Sequence, residues 1–153
     1  MNGLPGGTDD VDEQRQMRAL TREMAMDRLG SVQLGRVVFT SRALPAIRPV
    51  SHLVDGGDIV IRSHEGPAIV TAANAGRSAV VAYEADQIDP VTHLGWSVIV
   101  TGLARLVEDP LEIARYQDAL RPWGTRETDQ VIRIRAEFVT GFELVASDVL
   151  AGT

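Results

Sequence analysis

Two residue types are missing from this 153-residue chain: it has no cysteine, and all 15 of its basic residues are arginine, so it has no lysine either. Without cysteine there is no disulfide framework, thiolate nucleophile, iron–sulfur cluster or Cys-type zinc site. Without lysine there is no Schiff base to a carbonyl substrate and no P-loop lysine. A phosphate ligand would have to be held by arginine and backbone N–H groups. Positive charge is scarce too: 21 acidic against 15 basic residues give a net charge of -6. That balance argues against a nucleic-acid binder and against a polybasic membrane-surface protein. No apolar run approaches the roughly 20 residues of a membrane span. Met1 to Glu13 is Gly-rich and then acidic, without a basic segment leading into an apolar one, and reads as a tail rather than a leader. A cytoplasmic location is the default expectation. Genomic base composition is the bland explanation for the missing lysine, but the chemical exclusions hold whatever the cause.

What is present is a globular composition, 44% hydrophobic and 24% charged, of a length suited to one domain. We expect an acidic tail over 1–13, a single domain over 14–147 and a short tail over 148–153. Helical spacing at Met17, Leu20 and Met24 runs to Leu29 and stops at Gly30, with Thr21 as a candidate cap. Gln33 to Thr40 reads as a strand, followed by a turn near Arg42 and a second strand from Ala46 to Val54. Asp55-Gly56-Gly57-Asp58 has the chemistry of a two-residue hairpin turn into Asp58 to Ser63. A short helix is expected within Glu65 to Gly76, a strand over Ser78 to Ala85, a polar loop from Asp86 to Gly95, and a long strand from Trp96 to Val107. Asp109-Pro110-Leu111-Glu112 is a strong helix start. Ile113, Tyr116 and Leu120 would share one face of that helix, with Pro122 ending it. Thr128 to Leu144 reads as a closing strand with Ile132, Ile134, Ala136 and Phe138 on one side. Six strands joined mostly by turns favour an antiparallel barrel over a doubly wound parallel sheet.

The chemistry-bearing candidates are few. The three histidines, His52, His64 and His93, show no metal-ligand spacing, so no metal site is expected. No Gly-x-Ser-x-Gly elbow and no Gly-x-Gly-x-x-Gly loop is present. Asp86 and Asp89 flank a proline-containing loop and read as turn-formers. The segment Ile47-Arg48-Pro49-Val50-Ser51-His52-Leu53 says more. Alternation puts Arg48, Val50 and His52 on one face and Ile47, Ser51 and Leu53 on the other. A proline in a strand lacks the ladder donor and marks an edge, a bulge or the approach of another molecule. Arg48 and Arg62, on hairpin-linked strands, are candidates for an anion cradle beside the turn at Ser63. The competing reading is two arginines snorkelling at a barrel rim.

Four stretches together resemble the pyridoxamine 5'-phosphate oxidase-like family of flavin-binding split barrels, in its small actinobacterial-type branch. They are Leu29 to Thr40, Ala46 to Ser63, Val80 to Pro110 and Val139 to Leu144. The third is the most specific, with Tyr83-Glu84-Ala85-Asp86, Asp89-Pro90 and Gly95-Trp96-Ser97-Val98. The resemblance implies a six-stranded antiparallel split β-barrel, a homodimer, and FMN shared across the interface for oxidoreductase chemistry on a small molecule. It implies that Arg48, Pro49, Val50 and Ser51 line the flavin, that Arg62 and Ser63 reach the phosphate, and that Trp96 and Ser97 approach the ring. His52 is the nearby candidate proton donor. One departure stands out: where the family usually has a basic residue gripping the phosphate, this chain has Gly66-Pro67-Ala68. A charge-assisted bond is worth about 1.5–3 kcal/mol, so its loss weakens phosphate binding roughly 10- to 100-fold unless Arg48, Arg62 or Arg77 compensates. The alternative is therefore a non-catalytic module that binds a deazaflavin, another ligand or none.

Overall fold

The fold follows from how the hairpins pair. A computed structural model describes residues 15–70, 79–121 and 129–146. The strands are β1 (Arg15–Ala19), β2 (Leu34–Ser41), β3 (Leu44–Asp55), β4 (Asp58–Ser63), β5 (Ala79–Ile88), β6 (Gly95–Leu106) and β7 (Gln130–Ala146). The helices are α1 (Arg22–Gly30), α2 (Gly66–Val70) and α3 (Pro110–Ala119). All pairings are antiparallel, in the order β1-β7-β4-β3-β2-β5-β6, with β6 returning to β7. Strands β2 to β7 thus close a six-stranded barrel, and β1 adds a seventh strand along the C-terminal half of β7. Closure is uneven. β5 and β6 pair over ten positions, while β2 and β5 meet only through Arg36 to Val38. No described helix is long and apolar enough to cross a membrane.

Local chemistry sets the boundaries. Gly56 and Gly57 take φ of 61° and 81°, the left-handed conformation the tight β3–β4 turn demands. The β2–β3 turn is made without glycine: Arg42 and Ala43 sit at φ 53° and 64°, a strained choice that the paired strands enforce. The Thr21 hydroxyl accepts the Met24 N–H at 3.2 Å to open α1. Asp109 does the same for Leu111 at 3.1 Å, with Pro110 at the first position of α3.

Three sequence expectations change. Met17 and Leu20 lie outside the helix; Met17 is in β1, because pairing with β7 outweighs a short helical pattern. β5 runs on to Ile88, paired with Gly95, so Asp86 is a strand residue and the loop is confined to 89–94. There Asp89 accepts the N–H groups of Val91 and Thr92 at 2.8 Å each. Phe138 does not share a face with Ile132, Ile134 and Ala136. The β6–β7 register shifts between Thr101 and Gly102, where a Cβ on Gly102 would strike the Arg135 carbonyl. The bulge flips the alternation, and Phe138 is 73% exposed. Pro122, and the expected helix beyond Val70, lie outside the described residues.

The barrel interior is fully buried Val37, Ile59, Ile61, Tyr83, Val98, Val100, Ile132 and Ile134. Each such aliphatic side chain contributes roughly 1.5–3 kcal/mol. Ala25 and Leu29 of α1 join this core from one end and Ile69 of α2 from the other. Outside, Tyr116 and Leu120 of α3 pack on Val60 and Val131 in a second cluster.

Candidate functional site

β3 is the strand that distinguishes this barrel. Leu44 to Ser51 pairs with β2, and Ser51 to Asp55 pairs with β4. Among the described residues, Leu44 to Val50 therefore has a strand on one side only, and Pro49 lies in that one-sided stretch, opposite Arg36. Val50 and His52 are buried on the barrel side of the strand, while Ser51, on the opposite face and 9% exposed, lines a cleft. A cleft of about 510 Å³ opens there, with Ser51 and Leu53 along it, Val32 and Gln33 on one side and Leu120 and Arg121 on the other. Its volume falls within the range of about 300–1,000 Å³ typical of small-molecule sites.

His52 borders the cleft but is only 4% exposed. Its Nε2 lies 2.7 Å from the Leu29 carbonyl of α1, and its Nδ1 is bonded to the Tyr83 hydroxyl. A carbonyl only accepts, so Nε2 carries the proton and Nδ1 accepts from Tyr83. Burial lowers the His52 pKa, opposed by the Leu29 bond, and burial foremost raises that of Tyr83. The ring is neutral and both nitrogens are committed inside the protein. That arrangement anchors α1 to the barrel and gives both ring nitrogens partners within the protein.

At the α2 end, the Arg48 Nε lies 2.7 Å from the Glu65 carboxylate, and another guanidinium nitrogen donates to the Ile47 carbonyl at 2.8 Å. The guanidinium also sits 5.9 Å from the Phe39 ring centroid. The Ser63 hydroxyl accepts the backbone N–H of Glu65 at 3.1 Å. Two of the residues named from sequence, Arg48 and Ser63, thus converge on Glu65. Arg62 does not join them. It lies opposite Ser51 and shares its outward face, whereas Arg48 is an odd number of residues away and faces inward. Arg62 instead donates to the Leu120 and Gln117 carbonyls at 3.1 and 3.4 Å, closing the C-terminal end of α3, with Asp129 at 3.6 Å. The expected Arg48–Arg62 cradle is therefore split by strand alternation.

Trp96 and Ser97 sit toward the other end. Trp96 is 7% exposed in the barrel core, and Ser97 lies outward between Asp86 and Phe142. On the same outer surface, Arg36 pairs with Glu84 at 3.1 Å and approaches Asp86 at 3.7 Å. Burial, then hydrogen bonding and repulsion from Asp86, push the Glu84 pKa up to about 7 against the pull of Arg36. Val80, Ile99, Phe138 and Phe142 extend this surface as exposed apolar side chains. Among the described residues, no three His, Cys, Asp or Glu side chains gather as metal ligands.

The sequence reading missed Tyr83, Glu65 and Arg121 as participants. For Glu65 the signal was indirect: the hairpin register, extrapolated beyond its last pair Ser51 and Arg62, aligns Arg48 with Glu65.

Comparison with known proteins follows the same lines. Residues 21–143 match the family described as pyridoxamine 5'-phosphate oxidase. The protein Rv0080 of Mycobacterium tuberculosis is 49% identical over 134 residues, 86% of this chain and 88% of that protein. A Corynebacterium glutamicum structure provisionally named pyridoxamine 5'-phosphate oxidase is 32% identical, with a TM-score of 0.69, covering 86% of this chain and 99% of that one. A Mycobacterium smegmatis structure named as an FAD binding protein is 30% identical, with a TM-score of 0.64, covering 84% and 99%. With its uneven six-stranded barrel and matching sequence over most of its length, the chain belongs to the pyridoxamine 5'-phosphate oxidase-like family of split-barrel proteins.

Proposed function

We propose that this protein binds a flavin along β3 and works as a flavin-dependent oxidoreductase on a small molecule, as a homodimer. The observation that carries the reading is the one-sided stretch Leu44 to Val50 running into the cleft at Ser51. Its backbone N–H and C=O groups can bond the polar edge of a flavin ring. Ser51 adds a hydroxyl, Val32 and Leu53 exclude water, and Arg121 adds positive charge at the cleft. The ring system fits this donor set. A 5'-phosphate fits less well, since Arg48 is held by Glu65 and Arg62 by α3. A bound flavin would supply the electron transfer. The FAD-binding relative from Mycobacterium smegmatis supports the ligand class.

The dimer reading rests on the exposed Val80, Ile99, Phe138 and Phe142, an apolar surface that a second copy would cover. Ser97 lies on this surface, so a dimer formed through it would bring Ser97 of each copy toward the other. Phe138→Asp should then halve the mass seen by light scattering, and an unchanged mass would remove this surface from the interface.

Titration of the purified protein with riboflavin and FMN, read by flavin fluorescence, tests the ligand reading. Saturable quenching is expected, and its absence for both would end that reading. The second reading is a non-catalytic or deazaflavin-binding module, favoured by the Arg48–Glu65 pair. A deazaflavin titration in parallel separates the two.

A further inference from the structure

The Arg48–Glu65 pair is a built feature. The Ser63 hydroxyl holds the Glu65 backbone N–H at 3.1 Å, and the carboxylate reaches the Arg48 Nε at 2.7 Å. Glu65 is the more enclosed partner, its side chain 25% exposed against 46% for Arg48. Arg48 stands on β3 where that strand has lost β4 as a neighbour, so a ligand lying along this edge meets the pair at its α2 end. Gly66, Pro67 and Ala68 carry no charge, and Arg62 is turned outward to the Leu120 and Gln117 carbonyls.

From this we infer that Glu65 determines ligand specificity, by serving as an internal counter-ion that excludes a phosphate monoester from Arg48 and leaves the site selective for a flavin with an uncharged tail. This rests on the flavin reading above. A phosphate monoester carries a charge of about -2 at neutral pH. To reach Arg48 it must displace a carboxylate already paired with the guanidinium, or lie against it as a like charge. Either way the favourable charge-assisted bond is offset. A neutral ribityl tail meets no such repulsion and can bond to the Glu65 carboxylate itself.

The test is a fluorescence titration of riboflavin and FMN against the wild type, Glu65→Gln and Glu65→Gln/Arg48→Ala, with melting temperatures recorded to verify folding. Glutamine keeps the shape and removes the charge. The wild type should bind riboflavin at least as tightly as FMN. Glu65→Gln should tighten FMN about tenfold and leave riboflavin within about twofold. Adding Arg48→Ala should erase the FMN gain. A wild type that favours FMN tenfold, or a Glu65→Gln variant whose FMN affinity does not change, overturns the specificity role while leaving flavin binding intact. Failure of all three proteins to bind either compound overturns the flavin reading, and the inference with it.

Discussion

The two ends of the barrel solve the problem of a polar group in different ways. At the α1 end, His52 is buried with both nitrogens partnered, by the Leu29 carbonyl and the Tyr83 hydroxyl. At the α2 end, Arg48 and Glu65 pair across a half-exposed gap, with β3 bare on one side. The first is a closed network whose loss leaves a buried group unsatisfied. The second is a half-exposed ion pair, whose loss costs the fold little. Stability belongs to the first end, and the proposed recognition to the second.

The largest expected effect comes from breaking the closed end. Tyr83→Phe removes the donor to the His52 Nδ1 and should cost about 1–3 kcal/mol, measured by urea unfolding; a loss under half of that would mean the hydrogen bond is not what ties α1 down. A smaller effect should appear on the outer surface of the same strand, where Glu84 titrates near 7. An acid with a raised folded pKa stabilises fully below its ordinary value of 4.5 and loses that contribution as pH rises through about 7. His52, whose pKa is lowered, acts oppositely, losing its contribution as pH falls below its ordinary 6.5. The difference in melting temperature between Glu84→Gln and the wild type isolates the first term. It should shift in favour of the variant as pH rises from 5 to 8, and a constant difference would contradict the Glu84 assignment. The smallest effect belongs to the open end. Arg48→Ala should change stability by less than about 1 kcal/mol, and a loss of several kcal/mol would make the pair structural.

Much of this architecture was readable beforehand because turn and cap chemistry is local. Asp55-Gly56-Gly57-Asp58 specified both the hairpin and its register, and Thr21 and Asp109 marked helix starts by their side-chain oxygens. What escaped was set by distant partners. Met17 became strand because β7 extends far enough to pair with it. Phe138 turned outward because of a bulge whose cause, Gly102 against Arg135, lies on two strands. Tyr83 read as an ordinary strand aromatic until the fold brought it to His52. The candidate site was legible as a segment, Arg48 to Ser51, but not as a set of contacts. Alternation alone puts Arg62 on the face away from Arg48, and only the fold shows what each meets there.

The most direct test of the central claim is a crystal structure of the protein with riboflavin bound, since this ligand lacks the phosphate whose placement is in question. The flavin ring is expected along the Leu44 to Val50 edge of β3, with one end in the cleft at Ser51. Density for the ring elsewhere, with that edge left bare, would contradict that claim.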